Sequence, residues 1–130
     1  ENSVIFYENI KSVNDHLKLY NEIDIALDTF PYNGVTTSFE AIWMGVPVLT
    51  MKGYNFNSRC GESINNNMDL ANLIANDKND YVNIALEISK NITKLALLRK
   101  KIFQNAIQSP LFNAKNFSKN FFDIINHLKK

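Results

Sequence analysis

Four short apolar runs divide the chain and have the length of β-strands. Each run is rich in β-branched or large apolar side chains and is bounded by polar or turn-forming residues. The first, Val4–Tyr7, is predicted as a buried strand, and the last is the shortest. The predicted strands are residues 4–7, 24–28, 46–50 and 73–75.

The stretches between and after these runs show the three- to four-residue apolar spacing of amphipathic helices. Ser12 is a suitable N-cap for the first helix, Thr36 or its neighbour for the second, and Ser58 for the third. Gly45 is predicted to end the second helix, and Ser109–Pro110 to separate the last two. The predicted helices are residues 12–21, 36–44, 58–66, 79–90, 93–107 and 114–128.

Strands that alternate with helices in units of about 20 residues are typical of a parallel α/β sheet. The predicted fold class is therefore α/β: a partial Rossmann-like parallel sheet with flanking helices, ending in three helices. Three or four strands are fewer than the five or six of a doubly wound domain, so we expect part of the sheet to lie outside the chain. We expect residues 1–130 to be one domain, incomplete at its N-terminus, that self-associates through an exposed first strand.

The composition argues against several classes of partner. A net charge of +1, from 14 basic and 13 acidic residues, favours neither nucleic acid nor an anionic membrane. The longest uncharged stretch, about residues 29–51, is interrupted by Glu40 and is not a membrane span. Cys60, the single cysteine, allows no internal disulfide and fits a reducing, cytoplasmic location. Trp43 and the aromatic residues of the last helix follow helical spacing, which predicts core positions rather than stacking platforms for bases.

The segment between the second and third predicted strands carries the candidate chemistry. Asn33 and Gly34 form a turn that allows a ligand to approach the backbone closely. Thr36 and Thr37 follow at the start of a helix, where free N–H groups and the helix dipole favour an anion. Glu40 lies one helical turn after Thr36, so its carboxylate would accept hydrogen bonds from a ribose diol beside the phosphates. The pattern predicts a phosphate and sugar-hydroxyl site that is neither a G-x-G-x-x-G fingerprint nor a P-loop.

The same residues allow a purely structural interpretation. Gly34 would then only make the turn, Thr36 would cap the helix and Glu40 would be a solvated first-turn acid. Arg59 is either a phosphate or carboxylate clamp or a surface arginine. His16, on the first helix, is typical of a surface or boundary residue, and no Ser/His/Asp order or metal-ligand spacing occurs. Spacing alone leaves both interpretations open.

Longer motifs connect these residues to their neighbours. The motifs are His16-Leu-x-x-Tyr20, the core Asn33-Gly-x-Thr-Thr-x-x-Glu40, the following Trp43-x-Gly-x-Pro47, Ser58-Arg59, and Ser109-Pro-Leu-Phe-Asn113. Together they resemble the C-terminal region of the O-linked N-acetylglucosamine transferase family, which includes the animal enzyme, plant SPINDLY-type proteins and bacterial relatives with tetratricopeptide repeats. The resemblance spans roughly residues 4–128.

The resemblance implies the C-terminal half of a GT-B glycosyltransferase, which binds a nucleotide sugar facing a second Rossmann-like half. Thr36 and Thr37 would then contact the diphosphate, and Glu40 would hold the ribose hydroxyls. His16 would lie near the nucleotide, and Gly34 would allow the phosphates to approach. The family needs neither a catalytic metal nor a cofactor, and its catalytic and acceptor-binding groups lie upstream, so no catalytic residue is expected in this chain.

The implied function is donor binding in an enzyme that transfers N-acetylglucosamine from UDP-N-acetylglucosamine to a protein or another acceptor. We expect the chain alone to transfer nothing, because the upstream half is missing. Val35 stands where the animal enzyme has a histidine, and Val13 and Leu19 stand where it has basic residues near the base. The nucleotide and sugar therefore stay open, since SPINDLY-type relatives use a guanosine donor with fucose. A non-catalytic nucleotide- or phosphate-binding module and a scaffold domain are the alternatives.

Overall fold

The computed structural model describes residues 4–128, and within them lie three short strands and six α-helices. The strands are β1 (Ala26–Leu27), β2 (Val48–Met51) and β3 (Ile74–Ala75). The helices are α1 (Val13–Lys18), α2 (Thr36–Trp43), α3 (Cys60–Asn67), α4 (Lys78–Ser89), α5 (Ile92–Gln108) and α6 (Ala114–Leu128). Three 3₁₀ turns join them, at Leu19–Glu22, Ala71–Leu73 and Pro110–Phe112.

The strands form one parallel sheet in the order β1-β2-β3. Ala26 pairs with Val48, and Thr50 pairs with Ile74, so β2 lies in the middle. Helices α2 and α3 are the two crossovers, as parallel neighbours require. The predicted α/β class with a partial parallel sheet is therefore confirmed, and the three terminal helices follow as predicted.

The core lies around β2 and the two crossover helices. All four residues of β2 are buried, which is typical of a strand covered on both faces. Ile42 and Val46 belong to the buried apolar cluster, and α5 contributes Ile102 and Ala106 to the same cluster. Arg99 of α5 donates to backbone carbonyls in the segment that leads into β1, at Tyr20 and Ile23. The long helix therefore fixes this segment as well as covering the core.

The helix ends agree only in part with the predicted caps. The Ser12 hydroxyl accepts from the Asp15 amide at 3.4 Å, and Gly45 ends α2 with φ of +74°. Ser58 does not cap α3, because Arg59 occupies the N-cap position. The Ser58 hydroxyl is instead buried and bonds Asn55 in the preceding loop, at 2.8 Å from the Asn55 Oδ1.

The predicted strand Val4–Tyr7 is wrong. The segment forms no strand, and its four side chains are exposed, with Phe6 at 90%. A strand needs a hydrogen-bonded neighbour, and no segment of residues 4–128 pairs with this one. The Tyr7 hydroxyl donates a 2.6 Å hydrogen bond to the Glu22 carboxylate. Self-association through this apolar run stays a prediction.

The predicted core position of the last helix's aromatic residues is also wrong. Phe117 and Phe121 stack on each other with ring centroids 6.0 Å apart, yet both are at least half exposed. The reason is that α6 leaves the core after the turn at Pro110–Phe112, so periodicity marks its apolar face without covering it. The predicted core position of Trp43 is wrong as well: the residue is 43% exposed, although its ring packs against Phe112 with the ring centroids 5.2 Å apart. No helix in the described part of the chain has the length and apolar character needed to cross a bilayer.

Candidate functional site

A small cleft opens beside β1 and the start of α2, with a volume of about 190 Å³. Gly34 and Thr37, two of the predicted site residues, line it together with Tyr20 and Asp28. In open parallel sheets, ligands bind at the carboxyl ends of the strands, and the chain leaves β1 at this edge. The cleft is therefore a candidate ligand site.

The turn that forms one wall of the cleft is held by Asp28. One carboxylate oxygen, Oδ1, accepts from the Gly34 amide at 2.7 Å. The other, Oδ2, accepts from the Thr50 hydroxyl at 2.7 Å. Asp28 therefore connects the end of β1, the glycine turn and the middle strand through a single side chain.

Asn33, predicted as a binding residue, points away from the cleft. Its side chain is 1% exposed; its Nδ2 donates to the Thr29 carbonyl at 2.9 Å, and its Oδ1 accepts from the Gly61 amide at 3.2 Å. Both polar ends of the side chain are therefore bonded within the protein. Asn33 fixes the turn against the start of α3. Its contribution to the cleft is therefore to hold the turn in place.

Gly34 is required by the close approach of α2. A Cβ at this position would lie 2.6 Å from the Thr37 Oγ1 and 3.0 Å from the Ser38 Oγ. Thr36 and Thr37 open the helix and are exposed. The N-cap is Val35, and within residues 4–128 no side chain bonds to that helix end. Neither threonine caps α2, so the interpretation of Thr36 as a helix cap is wrong.

Glu40 lies beside the cleft within a cluster of three polar side chains. Its Oε2 lies 3.1 Å from the His16 Nε2 and accepts from the Tyr20 hydroxyl at 3.1 Å. The Tyr20 hydroxyl also lies 3.3 Å from the Thr37 carbonyl, and its ring meets the His16 ring edge-on. The structure therefore brings His16 and Glu40 together, with Tyr20 as the link to the cleft.

The electrostatics of the cluster follow from burial. Burial raises the pKa of Tyr20 to about 12, and the hydrogen bond to Glu40 and the charge of Glu40 act in the same direction. Burial also raises the pKa of Tyr81 to about 12, with the charge of Asp28 as the second cause. The Tyr81 hydroxyl donates to the Asp28 carbonyl at 2.9 Å, so both phenols are neutral donors, Tyr20 in the cleft and Tyr81 in a separate pocket that also contains Asp28.

The raised pKa values of Tyr20 and Tyr81 predict that the folded chain loses stability at alkaline pH. Because their pKa values are higher in the folded chain than the ordinary value of 10, the folded state holds their protons more tightly than the unfolded state does. Their contribution is complete below about pH 10 and is lost as the pH rises through about 12. We expect the free energy of unfolding, measured with urea at a series of pH values, to show this decline. In Tyr20→Phe it should fall less steeply with pH. Tyr54→Phe, at an 83% exposed position, is the control, and an unchanged slope in Tyr20→Phe would contradict the prediction.

Arg59, the additional predicted site residue, lies away from the cleft. Its Nε donates to the Glu62 carboxylate at 2.8 Å on the surface of α3. Arg59 and Cys60 line a larger groove, of about 540 Å³, together with Val35 and Phe39. The structure therefore places Arg59 in a different pocket from Gly34 and Thr37, and its role as a clamp stays a prediction.

The arrangement is suited to binding a phosphorylated, hydroxylated ligand. Exposed threonine hydroxyls and the N–H groups of the first turn of α2 are donors for phosphate oxygens. Glu40 offers carboxylate oxygens for sugar hydroxyls. Among the described residues no cluster of three His, Cys, Asp or Glu side chains could hold a metal. Fold and cleft together define the class: a parallel α/β domain with a polar cleft at the carboxyl edge of its sheet.

Comparison with known proteins identifies the family within this class. Residues 1–121 match the model of glycosyl transferase family 41. The probable UDP-N-acetylglucosamine–peptide N-acetylglucosaminyltransferase SPINDLY of Solanum lycopersicum is 37% identical over 110 residues, which cover 85% of this chain and 12% of that protein. The UDP-N-acetylglucosamine–peptide N-acetylglucosaminyltransferase of Caenorhabditis elegans is 28% identical over 128 residues, 98% of this chain and 11% of that protein.

A solved structure gives the same result. A mutant O-GlcNAc transferase of Thermobaculum terrenum superposes with a TM-score of 0.83 at 34% identity, over 89% of this chain and 22% of that one. The chain belongs to glycosyl transferase family 41, so the resemblance seen in the sequence motifs is confirmed. It spans about an eighth of the length of the curated relatives that it matches.

Sequence reasoning missed three residues that shape the cleft. Asp28, Thr50 and Tyr20 make the bonds that place the turn and Glu40, but the sequence predicts Asp28 and Thr50 only as strand residues and offers Tyr20 only as part of a motif. A polar side chain in or directly after a buried strand is the sequence feature that indicates such a residue. Asp28 follows β1 directly, and Thr50 is a hydroxyl within the fully buried β2.

Proposed function

We propose that this chain is the donor-binding part of a family 41 glycosyltransferase, and that the cleft beside β1 binds the diphosphate and ribose of a nucleotide sugar. In this proposal Thr36, Thr37 and the amides of the first turn of α2 bind the diphosphate, and Glu40 binds the ribose hydroxyls. Gly34 keeps the approach open, and His16 orients Glu40 beside the nucleotide.

One observation carries the proposal: the first turn of α2 is left without a side-chain cap, while its two threonines are exposed next to a glycine turn. Within residues 4–128, capping therefore does not account for the threonines, whereas phosphate binding does. The position of Glu40 one turn along α2, held by His16 and Tyr20, supports a ribose contact next to the phosphates. Membership of a glycosyltransferase family supports the choice of a nucleotide sugar over free phosphate.

The donor and the partners belong to the same proposal. Relatives named as UDP-N-acetylglucosamine–peptide N-acetylglucosaminyltransferases support UDP-N-acetylglucosamine as donor and a protein as acceptor. The acceptor and the catalytic groups would be held by an upstream half, so transfer needs both halves. We expect residues 1–130 to act as one domain without metal or cofactor, at a cytoplasmic location that the single cysteine fits.

Calorimetric titration of the purified chain tests the proposal. We expect UDP, UDP-N-acetylglucosamine or GDP-fucose to bind with a Kd weaker than about 1 µM, because in this proposal the chain supplies only one of the two walls that hold the ligand. The nucleotide that binds better identifies the base. Uridine and inorganic pyrophosphate are the matched controls, and each should bind more weakly than the nucleoside diphosphate because it lacks one part of the ligand.

Two results would contradict parts of this proposal. Absence of binding by every nucleoside diphosphate, in a chain shown to be folded by circular dichroism, would leave the scaffold interpretation. Turnover of a nucleotide sugar by the chain alone, or submicromolar binding, would contradict the division of function between two halves.

A further inference from the structure

Asp28 occupies an unusual place in the structure. Its carboxylate is half-buried between the glycine turn and β2, and it accepts from the Gly34 amide and the Thr50 hydroxyl, each at 2.7 Å. Its own carbonyl accepts from the Tyr81 hydroxyl of α4 at 2.9 Å. Four elements of the fold therefore meet at this one residue.

The space around the carboxylate is filled from the side of α3. A Cβ on Gly61 would lie 2.7 Å from the Asp28 Oδ2 and 2.2 Å from the Thr50 Oγ1. The amide of the same glycine donates to Asn33, whose Nδ2 in turn donates to the Thr29 carbonyl. Two side chains thus fix the backbone between β1 and Gly34. Asp28 holds the Gly34 amide, and Asn33 holds the Thr29 carbonyl and the start of α3.

Burial and hydrogen bonding act on the Asp28 carboxyl group in opposite directions. Burial raises its pKa above the ordinary value, although the bonds from Gly34, Thr50 and Thr29 lower it. Both oxygens of this partly buried side chain are used as acceptors, one of them by the amide of the glycine turn. Such positions are enriched in functional sites.

We propose that Asp28 is a positioning residue, which holds the Gly34 turn so that the first turn of α2 presents its amides and threonines to the diphosphate. This inference rests on the proposed function, since the diphosphate is the ligand concerned. Asp28 acts through Gly34 and Thr50. The specific consequence is that Asp28 governs diphosphate binding, whereas Glu40 governs ribose binding.

Asp28→Asn in the full chain tests this assignment. The amide keeps the shape of the side chain, but its NH₂ group cannot accept, so one of the two bonds from Gly34 and Thr50 is weakened or lost. We expect the variant to fold cooperatively and to bind both UDP and inorganic pyrophosphate about tenfold more weakly. Thr50→Val, which removes one donor to Asp28, should weaken both by a smaller factor. Asp24→Asn, an exposed acid just before the same strand, is the matched control and should bind both like the unmodified chain.

A second readout needs no ligand. The Gly34 amide proton, bonded to a carboxylate, should resonate far downfield in the NMR spectrum of the free chain and move upfield in Asp28→Asn. An unmoved Gly34 resonance, or unchanged pyrophosphate binding in Asp28→Asn, would overturn the proposal. Failure of Asp28→Asn to fold would also overturn it, because Asp28 would then be needed for stability. If the unmodified chain binds no nucleotide, the proposed function fails, and the Gly34 resonance alone decides whether Asp28 holds the turn.

Discussion

Replacement of Glu40 by alanine should weaken the binding of a nucleoside diphosphate by at least about tenfold and leave inorganic pyrophosphate binding within about twofold. The reason is that Glu40 lies one turn after the end of α2 that is proposed to bind the diphosphate, beside Tyr20 and His16, where a ribose would follow the diphosphate. Hydrogen bonds to a charged group contribute about 1.5–3 kcal/mol each, which corresponds to roughly 10- to 150-fold in affinity. Competition NMR with both ligands measures the two affinities.

The controls separate loss of a ligand contact from general disruption. Glu87→Ala removes an exposed glutamate from α4 and should change neither affinity. Glu40→Gln keeps an acceptor at the same place and should lose less than Glu40→Ala. An equal loss for the nucleoside diphosphate and for pyrophosphate would place the effect of Glu40 elsewhere, for example in the position of the Tyr20 side chain.

Replacement of Gly61 by alanine should lower both the stability of the chain and its diphosphate binding. The new Cβ would lie 2.2 Å from the Thr50 Oγ1 and 2.7 Å from the Asp28 Oδ2, so α3 would have to move. Overpacking of this kind costs about 1–3 kcal/mol, and the gain of about 1 kcal/mol in helix propensity offsets only part of it. We expect a midpoint of thermal unfolding lowered by roughly 5 °C or more.

The neighbouring exposed position gives the matched control. Ser63→Ala changes an exposed residue of the same helix and should leave the free energy of unfolding within about 0.5 kcal/mol of the unmodified chain. Pyrophosphate titration of Gly61→Ala should also show weaker binding, because displacement of Thr50 disturbs the Asp28 carboxylate that holds Gly34. A Gly61→Ala chain as stable as the unmodified one would mean that α3 shifts at no cost.

The helices and the central strand were predictable because their signals are local. A helix shows its apolar face every three to four residues, so the observed α4, α5 and α6 begin and end within a residue or two of the predicted ranges. Gly45 marked the end of α2 for an equally local reason, since its φ is positive. The family could also be read from the sequence, because its motifs are continuous stretches of chain.

Two of the wrong predictions concern burial and strand pairing, which depend on contacts with distant parts of the chain. Val4–Tyr7 has the composition of a strand, but pairing needs a neighbouring strand, which no described residue supplies. Phe117 and Phe121 have helical spacing, but α6 extends away from the core, so periodicity marked an apolar face that is not covered. In both cases the pattern shows correctly that the segment is apolar, but the prediction that it is buried is wrong.

The sequence by itself determined the class of this protein: a parallel α/β domain of a glycosyltransferase family, with a glycine turn, two threonines and a glutamate as its candidate site. Only the tertiary structure decided which side chains build that site, because the bonds concerned join residues far apart in the chain. Tyr20 reaches Glu40 across 20 positions, Thr50 reaches Asp28 across 22, and Gly61 reaches Asn33 across 28. Local pattern carries no information on such pairs, since their partners meet only when the sheet and its crossover helices have formed.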